Sequence, residues 1–206
     1  GENIFSLKNN ALGDREGLAG FYLFVSQDCN LNCSYCYGDG GDYRKGRMLM
    51  DESTALNFLE RFVDGRQKQY MVNFFGGEPF LNFPLIKKVV FEAKAKARHM
   101  GFKIDFNITM NGTIWNDAIR DFVKEHITNL TVSLDGPKEI NDIQRVAKGN
   151  FSPHDRTLET LKEIRKIKER NFVIRTIVTK NSYDKLRDVY KYIIPLAPGG
   201  IGITSA

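Results

Sequence analysis

At 206 residues, 42% hydrophobic and 27% charged, the chain is long enough to bury one sizeable core, and no low-complexity tract or like-charge block marks a disordered segment. Thirty Lys and Arg against 25 Asp and Glu leave a net charge of +5. The basic stretches 87–103 and 156–170 also carry acidic residues, so they read as solvated helix faces, and nucleic acid is not an expected partner. With no apolar run of 18 residues and no charged-then-apolar leader, neither a membrane span nor a secretory signal is expected.

In chain order, apolar runs of strand length alternate with stretches of helical period. The expected strands are 21–26, 71–75, 103–109, 129–135, 172–179 and 201–205. The expected helices between them are 51–64, 83–99, 116–125, 155–170 and 184–193. Asp51 with Ser53, and Asn116 or Asp117, supply N-cap chemistry, while Gly65 and Gly101 stand where helices stop. In the fourth helix, Leu158, Leu161, Ile164 and Ile167 form one apolar stripe on a charged rod, which has to cover a sheet. Regular strand-helix alternation predicts an α/β fold with a parallel sheet, either doubly wound or a partial (β/α)6 TIM-like barrel. Six steps ending on a strand favour the barrel. In both arrangements ligands gather at the C-terminal ends of the strands.

Cys29, Cys33 and Cys36 are the only cysteines and follow the first strand. An odd, clustered set fits a reducing cytoplasm rather than a disulfide framework. Cubane iron-sulfur clusters are normally held by four thiolates, so three at C-x3-C-x2-C spacing leave one iron open to a further ligand. A structural zinc ion wants four protein ligands, and His99, His126 and His154 lie far along the chain. A non-enzymatic three-cysteine metal-binding module stays the alternative. Gly76-Gly77-Glu78-Pro79 closes the second strand. Its two glycines let a ligand approach bare backbone, Glu78 adds a carboxylate, and Pro79 stiffens the exit.

Together, the three cysteines, Tyr35 just before the last of them, and Gly-Gly-Glu-Pro at 76–79 resemble the radical S-adenosylmethionine (SAM) superfamily. Met110-Asn111-Gly112-Thr113 resembles its Thr-Asn-Gly-Thr element, with Met110 where Thr is usual. Ser133-Leu134-Asp135-Gly136-Pro137, followed by Arg145, is similar to the SPASM-type peptide- and protein-maturing branch. That branch includes anaerobic sulfatase-maturating enzymes and ribosomal-peptide thioether maturases. The resemblance covers residues 21–206 as a radical SAM core, leaving 1–20 as an N-terminal edge segment.

By that resemblance, Cys29, Cys33 and Cys36 bind a [4Fe-4S] cluster whose open iron takes SAM. Gly76, Gly77 and Glu78 meet the methionyl ammonium, and backbone near Tyr35 meets adenine, as does the last strand near 201–203. Ser133 serves the nucleoside or methionyl end, and Arg145 pairs the methionyl carboxylate. Asp135 binds ribose or is an ordinary strand-ending turn. Thr109 and Asn111 read as turn residues, and Tyr37 and Tyr43 as cover for the cluster or plain aromatic packing. The implied reaction is reductive cleavage of SAM to a 5′-deoxyadenosyl radical that abstracts hydrogen from a peptide or protein, with a flavodoxin or ferredoxin as reductant. A small metabolite or RNA is the other substrate reading. Members of this branch carry further cysteines beyond the barrel. None follows Cys36, so the chain reads as an excised catalytic core, with a minimal enzyme as the alternative.

Overall fold

The computed structural model describes residues 17–169, 171–196 and 198–206. The first strand, β1 (Leu18–Gln27), leads into the cysteine segment, which contains β2 (Leu31–Cys33), and then into β3 (Met48–Leu49) and α1 (Glu52–Phe62). Next come β4 (Gln69–Gly76), α2 (Phe83–Met100), β5 (Lys103–Met110), α3 (Asp117–His126) and β6 (Asn129–Ser133). The chain continues through α4 (Lys138–Gln144), β7 (Arg145–Ala147), α5 (Pro153–Lys168), β8 (Phe172–Val178), α6 (Leu186–Ile193) and β9 (Gly200–Ser205).

Six strands run parallel in the order β1-β4-β5-β6-β8-β9, and β3 pairs antiparallel with β1 at the edge. Chain neighbours are sheet neighbours throughout. A doubly wound sheet reverses its order part-way, so this is the partial-barrel arrangement. Right-handed crossovers, the rule for parallel strands, then set the crossover helices α2, α3 and α5 on one face. On that face Phe74, Phe106, Leu130, Phe172 and Ile174 are buried with Ile86 and Val90 of α2, Val123 of α3 and Ile164 of α5.

Helix ends follow side-chain chemistry. Asp51 Oδ1 accepts from Thr54 N at 2.8 Å, and Asn116 Oδ1 from Ile119 N at 2.9 Å. Gly101 turns the chain out of α2 at φ +76°. The fourth expected helix starts earlier than its stripe implied because Ser152 caps it and Pro153 opens it. Its expected end at Arg170, and most of the N-terminal edge segment (residues 1–16), lie outside the described residues.

The opposite, concave face is polar at its floor. Asn73, Asn107 and Asn129 stand on one rung of β4, β5 and β6. Asn129 Nδ2 donates to Asn107 Oδ1 at 3.0 Å, and Asn107 Nδ2 to Asn73 Oδ1 at 2.9 Å. Asn73 Nδ2 in turn donates to Phe21 O at 3.0 Å. A one-residue slip of any of these strands would swing its asparagine into the apolar layer, so the ladder pins the register that sets the strand ends. No helix of the described residues is long and apolar enough to cross a membrane.

Candidate active site

Beyond β1 the chain turns on its own polar groups. Asp28 N donates to Ser26 Oγ at 3.2 Å, and Cys29 N to Asp28 Oδ1 at 2.8 Å. β2 then pairs antiparallel with β7, which sets Cys33 opposite Arg145. Ser34 N donates to Gln144 O at 2.8 Å, and Cys36 N to Cys33 O at 3.0 Å, so the third cysteine sits on a tight turn. Burial, with the charge of Glu78 adding to it, pushes the Cys29 thiol up to about 12. Burial also raises Cys33, against the nearby Arg145.

Gly76 and Gly77 fold the end of β4 against this turn. Gly77 N donates to Ser26 O, and Glu78 N to Asp28 O, both at 2.8 Å. Glu78 is fully buried. One carboxylate oxygen accepts from Phe80 N at 3.2 Å and the other from Asn111 N at 2.7 Å. Burial lifts its carboxyl to about 7 against those two donors. The Glu78 side chain therefore ties β4 to β5 behind the site, and bare backbone of Gly76 and Gly77 is what faces inward. Asn111 closes a second knot: its Nδ2 lies 2.8 Å from Asn30 Oδ1 and 3.7 Å from Cys29 Sγ. Its Oδ1 accepts from Thr113 N at 2.8 Å.

Tyr35 joins two buried charges. Its hydroxyl accepts from Arg145 Nη1 at 2.6 Å and donates to Asp135 Oδ2 at 2.7 Å. Asp135 is 1% exposed, with Oδ2 also accepting from Gln144 Nε2 at 3.1 Å and Oδ1 from Ile177 N at 2.9 Å. These contacts hold Asp135 behind Tyr35, off the surface that a ligand would touch.

The three cysteines, Tyr35, Gly76, Gly77, Ser133 and Arg145 line one cavity of about 460 Å³, in the size range of small-ligand sites. Asn111, Arg175 and Thr204 line it too, and Glu78 and Asp135 stand behind its wall. Tyr43 is on the wall, whereas Tyr37 is 76% exposed at the rim. Among the described residues no three His, Cys, Asp or Glu side chains converge as around a single ion. The thiols ring a common space instead, which suits a polynuclear cluster with one iron per thiolate. Three thiolates for a cubane, with room beside it for a further ligand, fit a [4Fe-4S] cluster and SAM.

The family model of the Radical SAM superfamily matches residues 23–193. The chain belongs to the radical SAM superfamily. It is 36% identical over 181 residues to an uncharacterized protein of Methanocaldococcus jannaschii, covering 87% of this chain and 59% of the other. It is 29% identical over 174 residues to a cysteine-type anaerobic sulfatase-maturating enzyme of Clostridium perfringens, covering 82% and 46%. The solved structure of native anSMEcpe with bound AdoMet and the Cp18Cys peptide superimposes with a TM-score of 0.78 at 25% identity, over 91% of this chain and 50% of that one. The chain spans about half the length of the curated relatives it matches. As a radical SAM enzyme core it uses a [4Fe-4S] cluster and SAM.

Two parts of this radical SAM site differ from their sequence reading. Asn111, read as a turn residue, does close a turn on Thr113 N, but its Nδ2 also comes within 3.7 Å of Cys29 Sγ, and the signal for that was the Asn-Gly-Thr element itself. Arg175 had no signal, because one arginine inside an apolar strand forms no motif. Hydrogen bonds to cluster sulfurs raise reduction potentials by stabilising the more negative state. Asn111→Leu, which removes the donor near Cys29 Sγ, is therefore expected to lower the cluster midpoint by about 20–60 mV. That is the one-electron equivalent of a hydrogen bond worth ~0.5–1.5 kcal/mol. An anaerobic redox titration read by electron paramagnetic resonance (EPR) checks it, and an unchanged midpoint would discount the contact.

Proposed function

We propose that this chain initiates radical modification of a peptide or protein side chain, with SAM seated in the cavity beside the cluster. The juxtaposition that carries the reading is three cysteines, bare Gly76–Gly77 backbone, Ser133 and Arg145 on one wall at the strand ends. Cys29, Cys33 and Cys36 ligate the cluster. Backbone carbonyls of Gly76 and Gly77 receive the methionyl ammonium, with Glu78 fixing their position from behind. Ser133 and Arg145 take the methionyl end, Arg145 as a charge-assisted donor to the carboxylate. Backbone at Tyr35 and the end of β9 border adenine, since Thr204 and Ser205 line the cavity where the sequence placed the contact at 201–203. Asp135 acts through Tyr35 and Arg145, since its oxygens are already committed to protein donors.

Likeness to the sulfatase-maturating enzymes, one of them solved with a peptide, supports a peptide or protein as the substrate. The electron comes from a flavodoxin or ferredoxin in a reducing cytoplasm. After anaerobic reconstitution the chain should be brown and hold about four irons. Its reduced EPR spectrum should change when SAM is added, and dithionite should release 5′-deoxyadenosine. A colourless protein with about one zinc, indifferent to SAM, would leave only the metal-binding module.

A further inference from the structure

Arg175 is the one cavity-lining cation that the roles above leave unused. It sits on the concave face of β8, in register with Ser133 of β6 on one side and Gly202 of β9 on the other. Its backbone is pinned, with its carbonyl accepting from Leu134 N at 3.0 Å. The side chain is part-buried and lines the cavity, and among the described residues its guanidinium has no ion-pair or hydrogen-bond partner. Arg145, on the same cavity, is by contrast held by Tyr35 at 2.6 Å. No Asp or Glu of the described residues lines the cavity. A Cβ built on Gly202 would meet nothing within 4 Å, so the space beside Arg175 on β9 is open.

A guanidinium stays charged at any physiological pH and offers a planar fork matched to a carboxylate. Withdrawing it from water without a partner is unfavourable. An unpaired fork facing an open cavity that no Asp or Glu lines therefore favours an anionic ligand. Two carboxylates can reach this space, that of SAM and that of the substrate, and Arg145 is disposed for the first. We infer that Arg175 is a specificity-determining residue that receives a substrate carboxylate, so that the preferred peptide carries an acidic group beside the residue to be modified. This inference rests on the peptide reading above.

The test uses the full chain, reconstituted with its cluster and saturated with SAM. Isothermal titration calorimetry compares three probes: a tetrapeptide with a central aspartate, its asparagine isostere, and glutarate. The aspartate peptide should bind about tenfold more tightly than the isostere. Arg175→Leu should erase that difference while leaving the SAM-dependent EPR change intact. Arg175→Lys, which keeps the charge and loses the fork, should retain a preference of about threefold. Should the leucine variant lose iron or melt early, the lysine variant carries the comparison. Arg175-dependent binding of glutarate without either peptide would uphold the carboxylate receptor and refute the peptide reading. Equal binding of both peptides with no binding of glutarate would overturn the inference. So would a folded Arg175→Leu protein that no longer responds to SAM, because the fork would then serve SAM itself.

Discussion

Gly76→Ala is expected to lower the melting temperature by about 10 °C and to cost the protein its iron, although no cysteine is touched. Gly76 sits at φ +132°, a conformation that L side chains avoid, and a Cβ there would lie 2.1 Å from Ser26 O. Backbone strain of this kind costs roughly 1–3 kcal/mol, and overpacking against a fixed atom adds about 1–3. In a domain of this size each kcal/mol shifts melting by about 2–4 °C. The clash cannot be relieved locally, because Gly77 N and Glu78 N are both bonded to the β1 exit. The β1 exit has to move, and Cys29 begins there. Gly20→Ala is the control: it lies on β1, and its Cβ would meet nothing within 4 Å. Thermal melting and iron content of the two variants decide the matter. Wild-type values for Gly76→Ala would show that the cysteine turn does not depend on this contact.

The same contrast explains what sequence alone revealed. Strands β1, β4, β5, β6 and β8 bury one face under helices, so their apolar runs were readable, as were the caps at Asp51 and Asn116. The β2–β7 pair was not readable. It joins Leu31–Cys33 to Arg145–Ala147 across more than a hundred residues, and neither three-residue segment has a period. Likewise α4, at seven residues, is too short to show a helical stripe.

At the site, residues that act through backbone or sulfur were legible because the chemistry leaves few alternatives: glycine where a chain must pass bare, cysteine where iron must bind. Residues that act through partners were not. Glu78 looked like a ligand-facing carboxylate and Asp135 like either a ribose ligand or a strand-ending turn, and the structure turns both toward protein donors. Burial decides that choice, since a buried carboxylate needs hydrogen bonds to offset its lost hydration. Which donors are near depends on the packing of β5, β6 and β8, which a linear pattern does not encode.

The Asp135 network yields the second large effect. Asp135→Ala should lower melting by about 10 °C and weaken SAM binding about tenfold or more. The substitution strands two donors, the Tyr35 hydroxyl and Ile177 N, and leaves Gln144 Nε2 only its bond to Ile177 O at 3.2 Å. It also leaves the buried Arg145 cation without the carboxylate to which Tyr35 links it. Breaking a buried charge network from one side costs roughly 3–5 kcal/mol. Gln144 cannot compensate by flipping, because its Oε1 already accepts from Thr179 Oγ1 at 2.7 Å and Ser182 Oγ at 2.9 Å. Asp135→Asn should be milder: an oxygen still faces Ile177 N, but its amide would point at Gln144 Nε2, donor against donor. The two halves of the prediction separate cleanly. Melting reports the stranded donors, and the SAM-dependent EPR change reports whether Arg145 has lost its aim. A destabilised Asp135→Ala protein with full SAM affinity would mean that Arg145 holds its position without the carboxylate, and that Asp135 serves only the fold.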